Sequence, residues 1–172
     1  MKFGFRSAAV LAAATALFLT GCAGYSWKSR IPADARTVFV PTFANESQVT
    51  RLGSETTRQL LREFQREGTL KIVAQEDAAL EVQGIVTDAD SHISGYNRKA
   101  SHRNREYRFA AECKVSVIDK RTSRVLVNDR KYRAETTFVA TNDRLTGERD
   151  ASGRLAEEFA RQIADDVLNM KL

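Results

Sequence analysis

The residues of this chain best placed for covalent chemistry are Leu19-Thr20-Gly21-Cys22, a thiol set directly behind two small residues. Upstream, Lys2 and Arg6 give a positive start, and Ala8–Leu19 is a mostly apolar run of 12 residues. These are the parts of a secretory leader in order, and the run is too short for a permanent membrane helix of about 20 residues. A plain secretory signal also ends in small residues, but it has no reason to place a cysteine next. The Leu-Thr-Gly-Cys order resembles the bacterial lipobox, in which the thiol becomes thioether-linked to diacylglycerol and the new N-terminus is then acylated. Processing is therefore expected to leave Cys22 first, anchored to a membrane without spanning it. Each buried methylene contributes about 0.8 kcal/mol, so one acyl chain holds marginally while three on a single cysteine hold for practical purposes permanently. Ala23, not an acidic residue, follows Cys22. In bacteria with two membranes such lipoproteins move on to the outer membrane, so its inner leaflet, facing the periplasm, is the expected address.

The second candidate is basic. Arg98, Lys99, Arg103, Arg105 and Arg108 fall within 11 residues, offset only by Glu106 and edged by Tyr96 and Tyr107. Arginine forks match phosphate geometry, so anion or lipopolysaccharide binding is one reading. A solvated hairpin tip whose charges keep an exposed edge from aggregating is the other. Both stay open. A weaker group, Lys120, Arg121 and Arg124, is expected at the opposite sheet end, followed by Arg130, Lys131 and Arg133. Other chemistry finds little support. With Cys22 lipidated, Cys113 is alone and cannot form an internal disulfide. It lies in the alternating run Tyr107, Phe109, Ala111, Cys113, Val115, Val117, which makes it a core thiol. His92 and His102 have no acidic or cysteine partners at metal-binding spacing and read as loop histidines. No histidine pairs suggestively with a serine or cysteine, and there is no Gly-rich phosphate loop. No enzyme, metal or cofactor is expected beyond the acyl chains on Cys22.

These groups need a scaffold, and the composition allows one domain. Removing residues 1–21 from the 172 leaves 151, enough for a sizeable core. Losing Lys2 and Arg6 lowers the formal charge from +5 to +3, too mild an excess to argue for nucleic acid. Residues 22–35 read as a lipidated tether, with Tyr25 and Trp27 either at the headgroup level or tucked against the domain. The domain is expected over 36–172. Thr37–Thr42 reads as a strand ended by Pro41, and Asn45, Glu46 and Ser47 carry turn chemistry. A helix is predicted from Val49 or Thr50 to Glu67, with Leu52, Thr56, Leu60, Leu61 and Phe64 on one face and Gly68 closing it. After a short extended piece at 69–74, period-two runs predict strands from Leu80 to about Ile93, from Glu106 to Ile118, and from Arg124 to about Thr141. Asp119–Ser123 makes a tight turn, and the polar link Ser94–Arg105 is longer. A last helix, about Glu148 to Met170, carries Leu155, Phe159, Ile163, Val167 and Met170 as its stripe, flanked by Ala156, Ala160 and Ala164. The order β-α-β-β-β-α predicts an α+β two-layer sandwich. In it, two helices cover one face of a mixed, largely antiparallel sheet of about four strands.

The lipobox, Gly24-Tyr25 behind it, Val38-Phe39-Val40-Pro41-Thr42-Phe43-Ala44-Asn45-Glu46-Ser47, the helix, and Leu80-x-Val82-x-Gly84-Ile85 together resemble the LptE family of lipopolysaccharide-assembly lipoproteins. The likeness spans nearly the whole mature chain in element order. The motif residues themselves read as structural: Pro41 stops the strand, Phe43 returns to the core, and Asn45 and Ser47 satisfy backbone groups near the helix entrance. The resemblance implies a non-enzymatic plug in the lumen of an outer-membrane β-barrel, the LptD-type lipopolysaccharide translocon, bound one to one. It also implies help in barrel assembly and binding of lipopolysaccharide in transit. Only the lipidated cysteine carries over residue by residue, at Cys22. The rival is a periplasm-facing envelope adaptor: a peptidoglycan-synthase activator or a secretion-type lipoprotein, which shares the strand-Pro-Phe-Asn opening. Periplasm-crossing activators carry a long Pro-rich linker after the cysteine, and this chain has only about a dozen residues before its first strand. A pore former needs an inserting amphipathic strand or helix, and none stands out.

Overall fold

Strict alternation in the middle of the chain dictates the largest element. Tyr107, Phe109, Ala111, Cys113, Val115 and Val117 are all buried, while Arg108, Glu112, Lys114 and Ser116 between them face the other way. The structure, a computed structural model, describes residues 31–96, 105–140 and 144–170. In chain order the elements are β1 (Thr37–Phe39), β2 (Ala44–Asn45), α1 (Leu52–Glu67), β3 (Lys71–Ile72), β4 (Leu80–Tyr96), β5 (Arg105–Asp119), β6 (Arg124–Ala140) and α2 (Arg144–Leu168). Six strands form one open sheet in the order β3-β1-β4-β5-β6, with β2 also on β4. The pairings of β1 and β2 with β4 are parallel, and those of β4 with β5 and β5 with β6 are antiparallel. The mixed sheet and its two helices match the expected sandwich. The strand count rises from four to six because β2 and β3 are two-residue strands with no periodicity to read.

Both helices pack side by side on one face of the sheet. Leu52, Leu60 and Phe64 of α1 and Leu155, Phe159 and Ile163 of α2 are fully buried, each such burial contributing roughly 1.5–3 kcal/mol. Ala156, Ala160 and Ala164 are buried as well; their small side chains let α1 and α2 approach closely. At its end α1 turns into the left-handed conformation at Gly68, φ 67°, whose N–H bonds Phe64 O at 3.0 Å. The last helix starts at Arg144, one turn before the position predicted from its apolar stripe.

The segment between β1 and α1 joins the two layers. Pro41 interrupts the strand after Phe39, and pairing resumes only at Ala44–Asn45. Phe43 drops into the core, its N–H donating to Thr57 Oγ1 of α1 at 2.9 Å. Its ring lies over Gly84 of β4, so close that a Cβ there would sit 2.2 Å from Phe43 Cε2. Asn45 Nδ2 donates to Val49 O at 2.9 Å, Asn45 Oδ1 accepts from Ser47 N at 3.2 Å, and Ser47 Oγ accepts from Val49 N at 3.3 Å. The two motif fragments singled out in the sequence therefore meet in space, and their role is structural.

Candidate functional site

Two features position the candidate surface: the length of the meander and the face its helices leave bare. Strands β4 and β6 are 17 residues each, about 55 Å at 3.3 Å per residue. The N-terminal segment enters at one end of the sheet. There Ile31 and Ala35 belong to the core, and Arg121 of the β5–β6 turn bonds Asp119 at 2.9 Å and also reaches Asp34. That contact, through a hydrogen bond to the charged form, holds the Asp119 carboxyl below its ordinary value. At the other end of the sheet β4 stops at Tyr96 and β5 starts at Arg105.

The bare face is a charge mosaic built by register. Glu112 sits opposite Arg133 and accepts from Lys131 Nζ at 3.1 Å and Arg133 Nε at 3.0 Å. Bonding to Lys131 first, then Arg133, lowers its pKa. Arg108 Nε lies 3.1 Å from Glu135, and His92 Nδ1 lies 3.8 Å from Asp90. Exposed pairs of this kind contribute little to stability and weaken with salt.

The sequence-predicted residues fall out as follows. Cys22, Arg98, Lys99, Arg103 and His102 lie outside the described residues. Arg105, expected in the connection, instead opens β5, paired with Tyr96 and Ala140. Arg108 lies on the bare face and is half exposed, engaged with Glu135. Tyr107 faces the core, stacked on Phe138 at 5.2 Å, so it does not border the basic run. His92, read as a loop residue, is a strand residue of β4 opposite Arg108. Cys113 is fully buried, and desolvation pushes its thiol up to about 12, far from thiolate chemistry. Among the described residues, no group of three His, Cys, Asp or Glu is placed to hold a metal ion. No described helix is long and apolar enough to cross a membrane.

Sequence reasoning missed two features. One is a groove of about 850 Å³ between the start of α1 and the first turns of α2, where Arg51, Arg58 and Arg149 are balanced by Glu55, Glu148 and Glu157. Its charges cancel, so it favours neither anions nor cations. The other is a polar row on α2, Arg154, Glu158, Gln162 and Asp166, whose four-residue spacing was legible but whose facing strand was not.

The fold and the bare face thus define a two-layer α+β binding domain with no assembled reaction centre among its described residues. Its fold is similar to a minor lipoprotein from Acinetobacter baumannii, 11% identical, with a TM-score of 0.51 over 77% of this chain and 92% of that one. It is also similar to a neuraminyllactose-binding hemagglutinin homolog from Helicobacter pylori, 9% identical, with a TM-score of 0.54 over 86% of this chain and 91% of that one. At such identities the likeness establishes the fold alone. No curated protein matches the chain. The model of the LptE family, described as lipopolysaccharide-assembly, matches residues 35–170. The chain belongs to that family and is a lipopolysaccharide-assembly lipoprotein. The family is not one of enzymes.

Proposed function

We propose that this lipoprotein is held at the inner leaflet of the outer membrane by acyl chains on Cys22. There it plugs the lumen of the LptD-type lipopolysaccharide translocon, one copy per barrel, and assists barrel assembly and lipopolysaccharide insertion into the outer leaflet. The observation that carries this reading is the family match over residues 35–170. Geometry supports it. The buried Ile31 lies nine positions after Cys22, a reach of at most about 30 Å. The end of the sheet that holds Ile31 and Ala35 therefore stays near the leaflet, while the far ends of β4 and β5, at Tyr96 and Arg105, stand a strand length away. The bare sheet face offers a barrel wall many charged and few apolar contacts, suited to a lumen lined with polar side chains. Gentle detergent extraction is expected to recover a one-to-one complex with a large outer-membrane β-barrel. Recovery of a peptidoglycan synthase and no barrel would favour the adaptor reading instead.

In this reading the basic connection receives lipid A phosphates. Replacing Arg98, Lys99, Arg103 and Arg105 with glutamine should weaken lipopolysaccharide binding about 10- to 100-fold, from four charge contacts of roughly 0.35–0.7 kcal/mol each. Thermal stability should hardly change, since exposed substitutions usually stay within about 0.5 kcal/mol. Wild-type binding should also fall as salt rises, with charges screened over about 10 Å at 0.1 M. Equal binding by variant and wild type at low and high salt would make the connection a solvated tip only.

A further inference from the structure

Beyond that function, the free edge of the sheet carries a device of its own. Among the described residues strand β6 has no neighbouring strand beyond it, and 17 residues of edge form a template on which another strand can add. In an antiparallel ladder alternate residues turn their N–H and C=O to the free side. On β6 that set includes Arg133 and Thr137. Glu112 and Glu106, of the opposite set on β5, present their carbonyls to Thr87 and Ser94 of β4, which fixes the phase.

The polar row of α2 reaches around to these edge groups. Arg154 Nη2 donates to Thr137 O at 2.9 Å and its Nε to Thr136 Oγ1 at 3.2 Å. Gln162 Nε2 donates to Arg133 O at 3.2 Å and to Glu158 Oε1 at 2.8 Å, so Glu158 helps hold the amide in place. Lower on the strand, Asp166 accepts from Tyr132 OH at 2.7 Å and pairs with Arg130 at 3.1 Å. Below that, Asp129 takes φ 48° and the register shifts between Val115 and Val117, a bulge that ends regular pairing. The residues of the row follow one another every fourth position, close to one helical turn, and so track the strand. Each edge carbonyl they occupy is an acceptor an incoming strand cannot use.

We propose that Arg154 and Gln162 form a built-in clasp that closes the β6 edge against strand addition by a second copy of this chain. On the opposite side the outermost strand, β3, is only two residues long, and β4 beyond Val86 is interrupted by register shifts at Val86/Asp88 and Ile93/Gly95. A lipoprotein concentrated on one leaflet meets its own copies constantly, and an open edge would let them pair. In a symmetric edge-to-edge dimer two clasps of two bonds are lost, four hydrogen bonds in all. Removing them beforehand should tighten self-association about 100-fold.

The test uses the full, lipidated chain in detergent, with its mass followed by sedimentation across a dilution series. Arg154→Met with Gln162→Met keeps length and helix propensity while removing the donors. Wild type should stay monomeric where the double variant forms dimers or larger species. Adding Glu135→Pro should restore the monomer, because it removes a free-side N–H that an incoming strand needs and costs the β5 ladder nothing. Circular dichroism checks that each variant is folded. If it shows the methionine variant unfolded, Arg154→Lys with Gln162→Glu takes its place, since neither side chain can make the clasp's full set of bonds. A folded variant that stays monomeric overturns the proposal. So does association that Glu135→Pro leaves unchanged, which would mark stickiness unrelated to this edge. Since no barrel is present in the experiment, its failure leaves the translocon reading untouched.

Discussion

Gly84→Val should cost this fold about 3–5 kcal/mol, the range for losing a buried aromatic side chain. Against a total stability of about 5–15 kcal/mol for a domain of this kind, that is enough to unfold a substantial fraction. The space a side chain would need at Gly84 is already filled by Phe43, with Cε2, Cδ2 and Cζ at 2.2, 2.4 and 2.5 Å from the position of a Cβ. The ring cannot retreat toward α1, because a Cβ at Gly53 would meet Phe43 O at 2.6 Å, so helix and segment are already in close contact. Phe43 N is also held by Thr57. Valine must therefore expel the ring, and the loss should appear as a shifted urea midpoint. A double-mutant cycle isolates the cause. Phe43→Ala alone should cost a similar amount, and adding Gly84→Val to it should cost less than about 1 kcal/mol more, since the obstructing ring is gone. Additive losses would mean that Gly84 is needed for something other than Phe43.

That contact marks the boundary of what the sequence reveals. Alternation over Glu106–Ile118 has one explanation when one face is buried, so β5 and its inward Cys113 were legible residue by residue. Phe43 could be sent to the core from its place after Pro41. Its seat on Gly84, 41 positions later, is a property of the parallel β2–β4 pairing, which no local pattern encodes. Register shifts hid more. The irregularity between Val86 and Asp88 moves Asp88, Asp90 and His92 onto the outer face, a side that strict alternation from Leu80 does not assign them. The last helix is expected from about Glu148 but begins at Arg144, so that it includes Gly147. The helix runs through it, because a Cβ there would come within 2.8 Å of Phe138 Cδ2, and glycine lets α2 cross the aromatic stack. On the candidate surface the types of charge were readable, but their pairing was not. Whether Glu112 is a free acceptor or is bound by Lys131 and Arg133 depends on which strands are neighbours.

The anchor is the opposite case, since its chemistry needs only four consecutive residues. Mature wild-type protein is expected to carry diacylglycerol and an N-acyl chain on Cys22. Cys22→Ser, exported behind an ordinary cleavable leader in excess over the barrel, should leave the membrane fraction apart from the copies that a barrel holds. A single acyl chain supplies a membrane association constant of only about 10⁴ M⁻¹, and three supply effectively irreversible attachment. The described part of the domain offers no apolar helix able to replace them, and its exposed large apolar residues, Ile93, Val125, Val139 and Leu145, are scattered over several elements. Fractionation and intact mass spectrometry read the two effects separately. An unmodified Cys22 in mature wild-type protein would end the lipoprotein reading of residues 19–22. If the serine variant is soluble yet still captures the barrel at raised concentration, the acyl chains act as a tether that raises local concentration. The recognition surface would then lie wholly within the folded domain.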